Sequence, residues 1–346
     1  MSSDRTINYP SEDKTASRLP GRVNIRVIGV GGGGCNAITH MVHGEVPGVE
    51  FIAMNTDVQH LAGSEALTRI PLGERLTRGL GAGGDPSIGR RCAEESLDEI
   101  KRAVEGADMV FVAAGMGGGT GTGAIPVIAR AAMDAGALTV AIVTRPFQFE
   151  GKRRMTVAED GIKELSPNVD TLIVVPNDRL IKVTDKTTSV GEAFKFADDV
   201  LYQAVKAVVE LITVPGLINL DFAGIRNVLK NSGAAMISIG YGTGTNRTVD
   251  AAKQALENSL AESPIEGAKR VLFGVKGGSG LSLVEIRNAA SIIKEAVDPE
   301  ANIIFGVNVD PAMGDDARLI LIATDLAVKE RPPTSFFRRM NNKGPA

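Results

Sequence analysis

The sequence predicts an α/β fold, in which a parallel sheet covered by helices is followed by one long central helix and a second, smaller α/β domain. Two observations carry this prediction. In the first half of the chain, short apolar runs of strand length alternate with segments of helical period, as is typical of parallel sheets with helices on both faces. After a long stretch of unbroken helical period, strands and helices resume up to residue 326.

The size and charge of the chain limit the classes of protein to which it can belong. At about 100 to 200 residues per domain, 346 residues predict two domains. The net charge of -3 does not suggest nucleic acid or a membrane surface as a partner. The first residues are polar and no apolar run reaches the roughly 18 residues of a membrane span, so we expect a cytoplasmic protein without direct membrane insertion. Cys35 and Cys92 have neither metal-ligand spacing nor the pattern of a disulfide framework.

The first domain is predicted over 23–190, after a flexible arm over 1–22. Its strands are short apolar runs bounded by glycine or other turn residues. They cover Val23–Val30, Val49–Met54, Asp108–Ala114, Leu138–Thr144 and Thr171–Val175, with helices between them at Ser87–Val104 and Gly123–Ala135. In such a sheet, ligands bind in the crevice at the carboxyl ends of the strands.

The central helix is predicted over Gly191–Val214, because apolar residues recur there every three or four positions. At about 1.5 Å per residue it would span about 36 Å. Pro215 and Gly216 end it, since proline cannot donate to the helical hydrogen-bond ladder and glycine frees the backbone.

The second domain is predicted over 215–326 from shorter apolar segments. Helices are expected at Phe222–Leu229, Thr248–Leu260 and Ser282–Ala296, and strands at Met236–Gly240, Arg270–Val275, Ile303–Val309 and Arg318–Thr324. Glycines also precede the last of these helices, at Gly277, Gly278 and Gly280. We interpret them as a turn without a ligand.

Consecutive glycines follow the first strand, in the segment Gly29–Asn36. We expect a helix to begin near Asn36, so that its unpaired N–H groups and the positive end of its dipole hold a phosphate. The alternative is a tight turn between strand and helix, although this many glycines cost backbone entropy that a turn alone does not require. Interpreted as G-x-G-x-x-G, the segment also fits a dinucleotide fold.

A second glycine-rich segment, Gly115–Gly123, follows the strand Asp108–Ala114 and repeats the arrangement. The hydroxyls of Thr120 and Thr122 can donate to further phosphate oxygens, so the two segments together suit a di- or triphosphate. The chain contains no G-x-x-x-x-G-K-[ST] motif, which argues against an ordinary P-loop enzyme.

The run G-G-G-T-G-T-G at Gly117–Gly123 is the signature of tubulin-like proteins, and the sequence over residues 23–326 resembles the tubulin/FtsZ family. The resemblance implies the tubulin/FtsZ fold, with a Rossmann-like GTP-binding domain and a C-terminal activation domain. It implies a GTPase of bacterial cell division that binds GTP or GDP with Mg²⁺ and assembles with itself into head-to-tail filaments. Such a protein would act in the mid-cell division ring, at the inner face of the membrane.

The resemblance also implies the residues of the nucleotide site. The phosphates would be held by Gly32, Gly33, Gly34, Cys35 and Asn36, and by Gly117, Gly118, Gly119, Thr120, Gly121 and Thr122. The γ-phosphate and its Mg²⁺ would lie near Asn55 and Asp57, with the ion bound mainly through the phosphates. A loop that senses the γ-phosphate would be Gly79–Pro86, with Ala82, Gly83 and Gly84 as contacts. A ribose loop would be Thr144–Arg154, with Glu150 and Arg154 as contacts. The side chain of Cys35 is expected to contribute little.

Phe194 and Asp198 are four residues apart on the predicted long helix and therefore share a face. The ring can stack on a purine while the carboxylate accepts hydrogen bonds from guanine N1–H and the N2 amino group, a donor pair that adenine lacks. An isolated pair of this kind is more often a core phenylalanine beside a solvated aspartate; the resemblance favours the guanine site. It also implies that Asn177 supplements base recognition.

The segment after the long helix departs from the family pattern. In the family, an Asn-x-Asp followed three residues later by a second Asp reaches from one subunit into the nucleotide pocket of the next and orients the attacking water. Here Asn219 and Asp221 are retained as catalytic residues, but Gly224 stands where the second carboxylate is expected. A water-orienting group contributes about 10² to 10⁴ in rate, so we expect slow hydrolysis with nucleotide binding intact. The alternative is that Asp221 suffices by itself.

Residues 327–346 are predicted to form a flexible, basic tail. Within it, Pro333–Arg339 resembles the short family motif that docks on membrane-tethering division proteins. Phe336 and Phe337 would anchor the motif while Arg338 and Arg339 steer it. A solvated tail with incidental aromatic residues is the alternative.

Two other functions stay open on the sequence. A nucleotide-dependent oxidoreductase would use Gly29–Gly34 for NAD, but it explains neither the second glycine segment nor Asn219–Asp221. A GTP-binding regulator that does not polymerise would share the whole nucleotide site. Sedimentation with GTP, GDP or NADH at several protein concentrations separates these functions, since only assembly has a threshold concentration.

Overall fold

The computed structural model describes residues 23–44, 46, 48–181, 189–214, 216–218, 220–257 and 265–326. The predicted arm at 1–22 and the predicted tail at 327–346, with Phe336 to Arg339, lie outside the described residues, as do Pro215 and Asn219. What the sequence predicts for these residues therefore stays a prediction.

The structure confirms the predicted α/β class. Its strands are β1 (Ile25–Val30), β2 (Val49–Asn55), β3 (Thr68–Pro71), β4 (Met109–Gly115), β5 (Leu138–Arg145), β6 (Thr171–Pro176), β7 (Gly233–Thr243), β8 (Arg270–Gly277), β9 (Asn302–Val309) and β10 (Asp316–Thr324). Its helices are α1 (Gly31–His43), α2 (Val58–Ala62), α3 (Glu74–Thr77), α4 (Pro86–Glu95), α5 (Leu97–Val104), α6 (Thr120–Asp134), α7 (Lys152–Leu165), α8 (Asn177–Ile181), α9 (Val190–Thr213), α10 (Phe222–Leu229), α11 (Arg247–Glu257) and α12 (Leu283–Ala296). No described helix combines the length with the apolar character that a membrane crossing requires.

The ten described strands form one sheet in the order β3-β2-β1-β4-β5-β6-β7-β10-β8-β9. The strands from β3 to β7 pair in parallel, whereas β10 runs antiparallel to its neighbours β7 and β8. The strand order reverses between β1 and β4, and such a switch point opens a crevice at the carboxyl ends of the two strands. Because β1 and β4 lead into the two glycine segments, the topology brings these segments to one place.

Two apolar cores cover the two faces of the parallel part of the sheet. Successive residues of a strand point to opposite faces. Accordingly Val27 packs in the core that contains α1 and α9, and Ile28 in the core that contains α4 to α7. A third core joins β8 to β10 with α11 and α12. Burial on both faces explains why the first strands are continuous apolar runs. The predicted division of the chain into domains stays a prediction.

The predicted long helix is confirmed as α9, which has 24 residues. Its first turn is fixed by a reciprocal pair of hydrogen bonds, in which Ser189 accepts from the Glu192 N–H and Glu192 accepts from the Ser189 N–H. Phe194 and Asp198 lie in the first half of α9, and the segment that contains Asp221 follows its end. The helix thus connects two of the predicted functional regions.

Both glycine segments enter their helices earlier than predicted. The helix after β1 begins at Gly31 and not near Asn36, because Gly31 adopts φ +70° and turns the chain directly from strand into helix. Likewise α6 begins at Thr120 and not at Gly123. Several of the glycines therefore form helical first turns, where their N–H groups point along the helix axis.

The single helix predicted at Ser87–Val104 is instead two helices, α4 and α5, that meet at Ser96. Ser96 leaves helical geometry, with φ -96° and ψ 23°, and its hydroxyl accepts a 3.0 Å hydrogen bond from the Gly73 N–H. Serine side chains that bond to nearby backbone compete with the helical ladder, and apolar periodicity does not reveal this competition.

Candidate nucleotide-binding site

The two glycine segments meet at the carboxyl ends of β1 and β4. The strands are in register up to their ends, with Val30 paired to Ala114. Gly31 has a left-handed backbone, and a Cβ there would lie 2.8 Å from the nitrogen of Gly121. Only glycine tolerates both conditions. The segments Gly31–Asn36 and Gly115–Thr122 therefore form one surface, which we call the cradle.

Several cradle glycines are required by the packing of backbone on backbone. A Cβ at Gly34 would lie 2.4 Å from the Ala113 carbonyl oxygen, and one at Gly121 would lie 2.7 Å from that of Gly115. A Cβ at Gly119 would lie 2.8 Å from the nitrogen of Asp85. Part of the glycine signature therefore encodes the fold independently of any ligand.

Other glycines at the site border open space. At Gly118, Gly83 and Gly84 a Cβ would meet nothing within 4 Å, and at Gly32 it would meet the ring of His60. Gly83 and Gly84 also have positive φ, +59° and +79°, which side chains other than glycine's rarely adopt. These positions leave room for a ligand next to exposed backbone.

The two helices that begin at the cradle have uncapped N-termini. Within the described part of the chain, no side chain accepts a hydrogen bond as the cap of α1 or α6. The helices α3, α5 and α7 also lack a side-chain cap, whereas α2, α4, α9, α10 and α12 are each capped by an aspartate or a serine. First-turn N–H groups lack acceptors within their own helix, and the helix dipole favours an anion there. Two such N-termini at one place suit a chain of phosphates.

Thr120 and Thr122 connect parts of the site to each other. Thr122 is 2% exposed, and its Oγ1 accepts a 2.8 Å hydrogen bond from the Gly117 N–H. Oγ1 of Thr120 lies 2.6 Å from that of Thr56. The Gly117 N–H is therefore directed at Thr122. The predicted hydrogen bonds from the Thr120 and Thr122 hydroxyls to phosphate stay predictions.

The side chain of Cys35 belongs to the core beneath the cradle. Its Sγ lies 3.8 Å from the carbonyl oxygen of Met54 and 3.9 Å from that of Gly29. Burial raises the pKa of the thiol to about 12, so the thiol stays protonated. Only the backbone N–H of Cys35 can serve a phosphate.

Asn55 and Asp57 organise the turn between β2 and α2. Oδ1 of Asp57 caps α2 by accepting hydrogen bonds from the N–H groups of Gln59 and His60, at 2.9 and 3.0 Å. Asn55 is 3% exposed, and its Oδ1 accepts from the Asp57 N–H at 3.3 Å. Both residues have clear structural roles, and their predicted place near the γ-phosphate stays a prediction.

The predicted sensing loop at Gly79–Pro86 packs against the same turn and against the cradle. Leu80 forms an isolated antiparallel bridge with Asp57. On the other side, the Cβ of Ala82 would lie 2.9 Å from a Cβ at Gly119. The structure therefore brings Ala82 and the glycines that follow it to the edge of the cradle.

The predicted ribose contacts Glu150 and Arg154 lie beside the second glycine segment and pair with each other. Glu150 Oε2 is 3.0 Å from Arg154 Nη1, and the two side chains are 7% and 51% exposed. Glu150 Oε1 accepts a 2.8 Å hydrogen bond from the Phe147 N–H. Gly117 has φ +98°, and a Cβ there would lie 2.8 Å from Arg154 Cγ. The pair is thus held next to the cradle with the guanidinium half exposed.

Phe194 of α9 joins a cluster of three aromatic rings. Its centroid is 5.5 Å from that of Phe147 and 6.4 Å from that of Phe149, both in edge-on geometry, and Phe147 stacks on Phe149 at 4.9 Å. Phe194 remains 39% exposed. The sequence pattern does not predict that Phe147 and Phe149 support the base residue, although their Phe-x-Phe spacing in the ribose loop is a usable signal.

Asp198, four residues along α9, faces α1. Burial raises its pKa to about 7, although the nearby His40 and a hydrogen bond with Asn36 both lower it. The neighbouring Asp199 adds a small rise in that pKa and pairs with His40 at 3.0 Å. Asn36 and Asp198, predicted from separate motifs, are therefore in direct contact.

Asn177 begins α8 at the carboxyl end of β6. It is 4% exposed, and its Oδ1 has no hydrogen-bond partner among the described residues. A buried amide oxygen without a donor is unfavourable, so such an atom marks a place where a ligand can supply the donor.

Asp221 lies apart from all these residues. It is exposed and caps α10, with Oδ1 accepting a 2.7 Å hydrogen bond from the Gly224 N–H. From Asp198 to the end of α9 at Thr213 the helix rises about 22 Å, at about 1.5 Å per residue. Before Asp221, Ile218 pairs with Val307 of β9, the last strand of the sheet, whereas the cradle lies at β1 and β4. The structure therefore gathers the predicted phosphate, ribose and base residues but not Asp221, while Asn219 lies outside the described residues.

Comparisons with known proteins agree with this arrangement. The GTPase domain of the Tubulin/FtsZ family matches residues 24–185, and the C-terminal domain of the FtsZ family matches residues 233–327. A solved structure of an empty FtsZ dimer from M. jannaschii is 44% identical, with a TM-score of 0.83 over 87% of this chain and 88% of that chain. A mutant of the M. jannaschii FtsZ is also 44% identical, with a TM-score of 0.84 over 88% and 92%.

A more distant structure, the GTPγS-bound protofilament of CetZ2 from Haloferax volcanii, shares the fold at 19% identity, with a TM-score of 0.77 over 89% of this chain and 95% of that chain. The GTPase-domain match argues against the oxidoreductase alternative, because it includes both glycine segments. With two family domains in order and 44% identity to FtsZ over most of its length, the chain belongs to the tubulin/FtsZ family.

Proposed function

We propose that this chain is a filament-forming cytoskeletal GTPase of cell division, which binds GTP and GDP in the cradle and hydrolyses GTP between consecutive subunits. The uncapped N-termini of α1 and α6 support phosphate binding. Asp198 would accept the N1–H and amino group of guanine, and the unpartnered oxygen of Asn177 would accept a further donor.

Mg²⁺ would be bound mainly through the nucleotide phosphates. Among the described residues, no group of three or more His, Cys, Asp or Glu side chains is placed to hold a metal ion. Mg²⁺ keeps several waters and commonly takes only one or two carboxylates in addition to phosphates. Asp57 is the candidate carboxylate, since both of its cap hydrogen bonds use Oδ1 alone. When bound, the ion would neutralise charge on the phosphates.

The observation that carries the proposed assembly is the position of Asp221 at the far end of α9 from Asp198. The helix rises about 22 Å from Asp198 to its end at Thr213. The segment after it then pairs through Ile218 with Val307 of β9, the last strand of the sheet, so Asp221 would lie away from the nucleotide of its own chain. A second copy placed head to tail could bring its Asp221 to that nucleotide. Hydrolysis would then require assembly, and Gly224 in place of a second carboxylate would make it slow.

We extend the proposal to the tail, which would dock on membrane-tethering division proteins through Phe336 to Arg339 and hold the filaments at the division ring. Its support is the sequence motif and the basic charge around it. Deletion of residues 333–339 should abolish binding to vesicle-bound tethering proteins and leave GTP-dependent sedimentation intact. Unchanged vesicle binding after the deletion would exclude this role.

The experiment that tests the central proposal measures GTP hydrolysis and sedimentation against protein concentration, with GDP and NADH in parallel. Sedimentable polymer is expected with GTP above a threshold concentration, and hydrolysis per subunit should rise at the same threshold. GTP binding without sedimentation at any concentration would instead identify a non-polymerising regulator.

A further inference from the structure

The imidazole of His60, on α2, lies against the first turn of α1. A Cβ at Gly32 would lie 3.8 Å from His60 Nε2 and 4.0 Å from Cε1, and apart from its own helix and chain neighbours it would meet no other atom within 4 Å. The ring therefore borders the open side of the cradle at Gly32. Nothing in the glycine motifs predicts this neighbour.

The environment of His60 determines which ring nitrogen carries the proton. Oδ1 of Asn55 accepts from the Asp57 N–H, which fixes the orientation of the Asn55 amide. Its Nδ2 then faces His60 Nδ1 at 3.4 Å. An amide nitrogen only donates, so Nδ1 accepts and the proton of the neutral imidazole lies on Nε2. Among the described residues, none is placed to accept that proton.

We propose that His60 is a further nucleotide-contacting residue, whose Nε2–H donates to an oxygen of the phosphate chain bound over Gly32. The inference rests on the proposed function of the cradle. Hydrogen bonds to ionised acceptors are stronger than neutral ones, and phosphate oxygens are acceptors only. Asn55 acts through His60 as a positioning residue. The backbone of His60 is held independently, because its N–H donates to Asp57.

Two substitutions at this exposed position test the proposal. His60→Ala removes the donor, and His60→Gln keeps an uncharged N–H donor of similar reach. We expect GDP affinity to fall about tenfold in His60→Ala and to recover to within about twofold in His60→Gln. Affinity for guanosine, which has no phosphate, should not change in either variant. The inhibition constant of inorganic phosphate, as competitor of GDP, should also rise in His60→Ala.

The outcomes separate the inference from the function on which it rests. Equal GDP affinity in His60→Ala and the wild type would overturn the inference and leave the nucleotide site standing. An equal loss for GDP and guanosine would also overturn it, because the role would then be structural. A wild-type protein that binds no GDP would reject the proposed function itself.

Imidazole ¹⁵N NMR supplies a readout that a structural role would not move. The chain has 3 histidines, so the His60 signals can be assigned by their loss in His60→Gln. We expect the Nε2–H tautomer before ligand, and a protected, shifted Nε2–H with GDP but not with guanosine. A proton on Nδ1, or a spectrum that GDP leaves unchanged, would contradict the proposal.

Discussion

Oδ1 of Asp221 accepts a 2.7 Å hydrogen bond from the N–H of Gly224, and a Cβ at Gly224 would lie 2.7 Å from that same oxygen. Any side chain at this position must therefore displace the Asp221 carboxylate, which loosens the cap of α10. Asp221 is both that cap and the proposed catalytic residue. Gly224 therefore has two effects: it supplies no second carboxylate, and it leaves room for the observed position of the Asp221 carboxylate.

Gly224→Asp is expected to raise GTP hydrolysis per subunit by about tenfold or more, since a positioned water-orienting group contributes about 10² to 10⁴ in rate. An acidic side chain in the first turn of α10 is also favoured by the helix dipole. Phosphate release is measured against protein concentration, and sedimentation in the same samples gives the amount of polymer.

Gly224→Asn is the matched control, because it displaces Asp221 to the same extent without adding charge. A similar rise in both variants would assign the effect to the displaced Asp221. An unchanged rate in Gly224→Asp, with normal polymer, would show that Gly224 does not limit hydrolysis.

The framework of the fold could be predicted from the sequence because its signals are long and redundant. The apolar runs of β1 and β4 and the unbroken period of α9 each extend over more residues than a turn can imitate. The predicted strand Met236–Gly240 is too short, since β7 extends over Gly233–Thr243. Pairing with β6 at its first residues and with β10 from Ala235 to Thr243 stabilises the polar and glycine ends of β7, and this pairing lies outside any local pattern.

The details of the site could not be predicted, because they depend on contacts between distant parts of the chain. The glycine-rich segment Gly29–Gly34 is consistent either with a loop or with the start of a helix. Only the backbone angle φ of Gly31 decides between these two structures. The hydroxyl contact of Thr56 with Thr120 and the ring of His60 beside Gly32 join residues far apart in sequence. No spacing rule encodes such pairs.

Guanine binding should weaken as the pH falls below about 7, the pKa to which burial raises Asp198. Guanine binds to the ionised carboxylate. Below its pKa the Asp198 carboxyl group is mostly protonated, and it must lose that proton before guanine can bind. Affinity should be constant above that pKa and fall by up to about tenfold per pH unit below it. His40, Asn36 and Asp199 face or flank this carboxyl. Calorimetric titration with GDP at several pH values measures this change in affinity.

Asp198→Asn is the control for this pH dependence, since it has no proton to lose at that position. The ionisation of the GDP phosphates is common to both proteins, so the difference between their profiles belongs to Asp198. Parallel profiles would contradict the assignment of Asp198 as the acceptor for guanine.

Asp198→Asn should also change which base is preferred. Xanthine has a carbonyl oxygen where guanine has its amino group, and the Asn amide can donate to that oxygen. We expect GDP affinity to fall by about a hundredfold, and xanthosine diphosphate to bind the variant more tightly than the wild type. Competition between the two diphosphates measures the switch. The same preference order in both proteins would place the base elsewhere.

Gly123→Ala and Gly118→Ala should separate the packing role of the glycine signature from its ligand role. A Cβ at Gly123 would lie 2.0 Å from the Pro86 carbonyl oxygen, whereas one at Gly118 would meet nothing within 4 Å. Alanine within α6 would gain about 1 kcal/mol of helix propensity. The forced shift of α4 against α6 costs about 1 to 3 kcal/mol or more for overpacking, so we expect net destabilisation.

Gly118→Ala is expected to keep its free energy of unfolding within about 0.5 kcal/mol of the wild type, since the added methyl group would meet no atom within 4 Å. Its affinity for GDP should fall, because a methyl group would occupy space beside the phosphates. Thermal unfolding without ligand and GDP titration of the folded protein measure the two effects separately. If Gly118→Ala lost stability and kept its affinity, the open side of the cradle would not be the phosphate side.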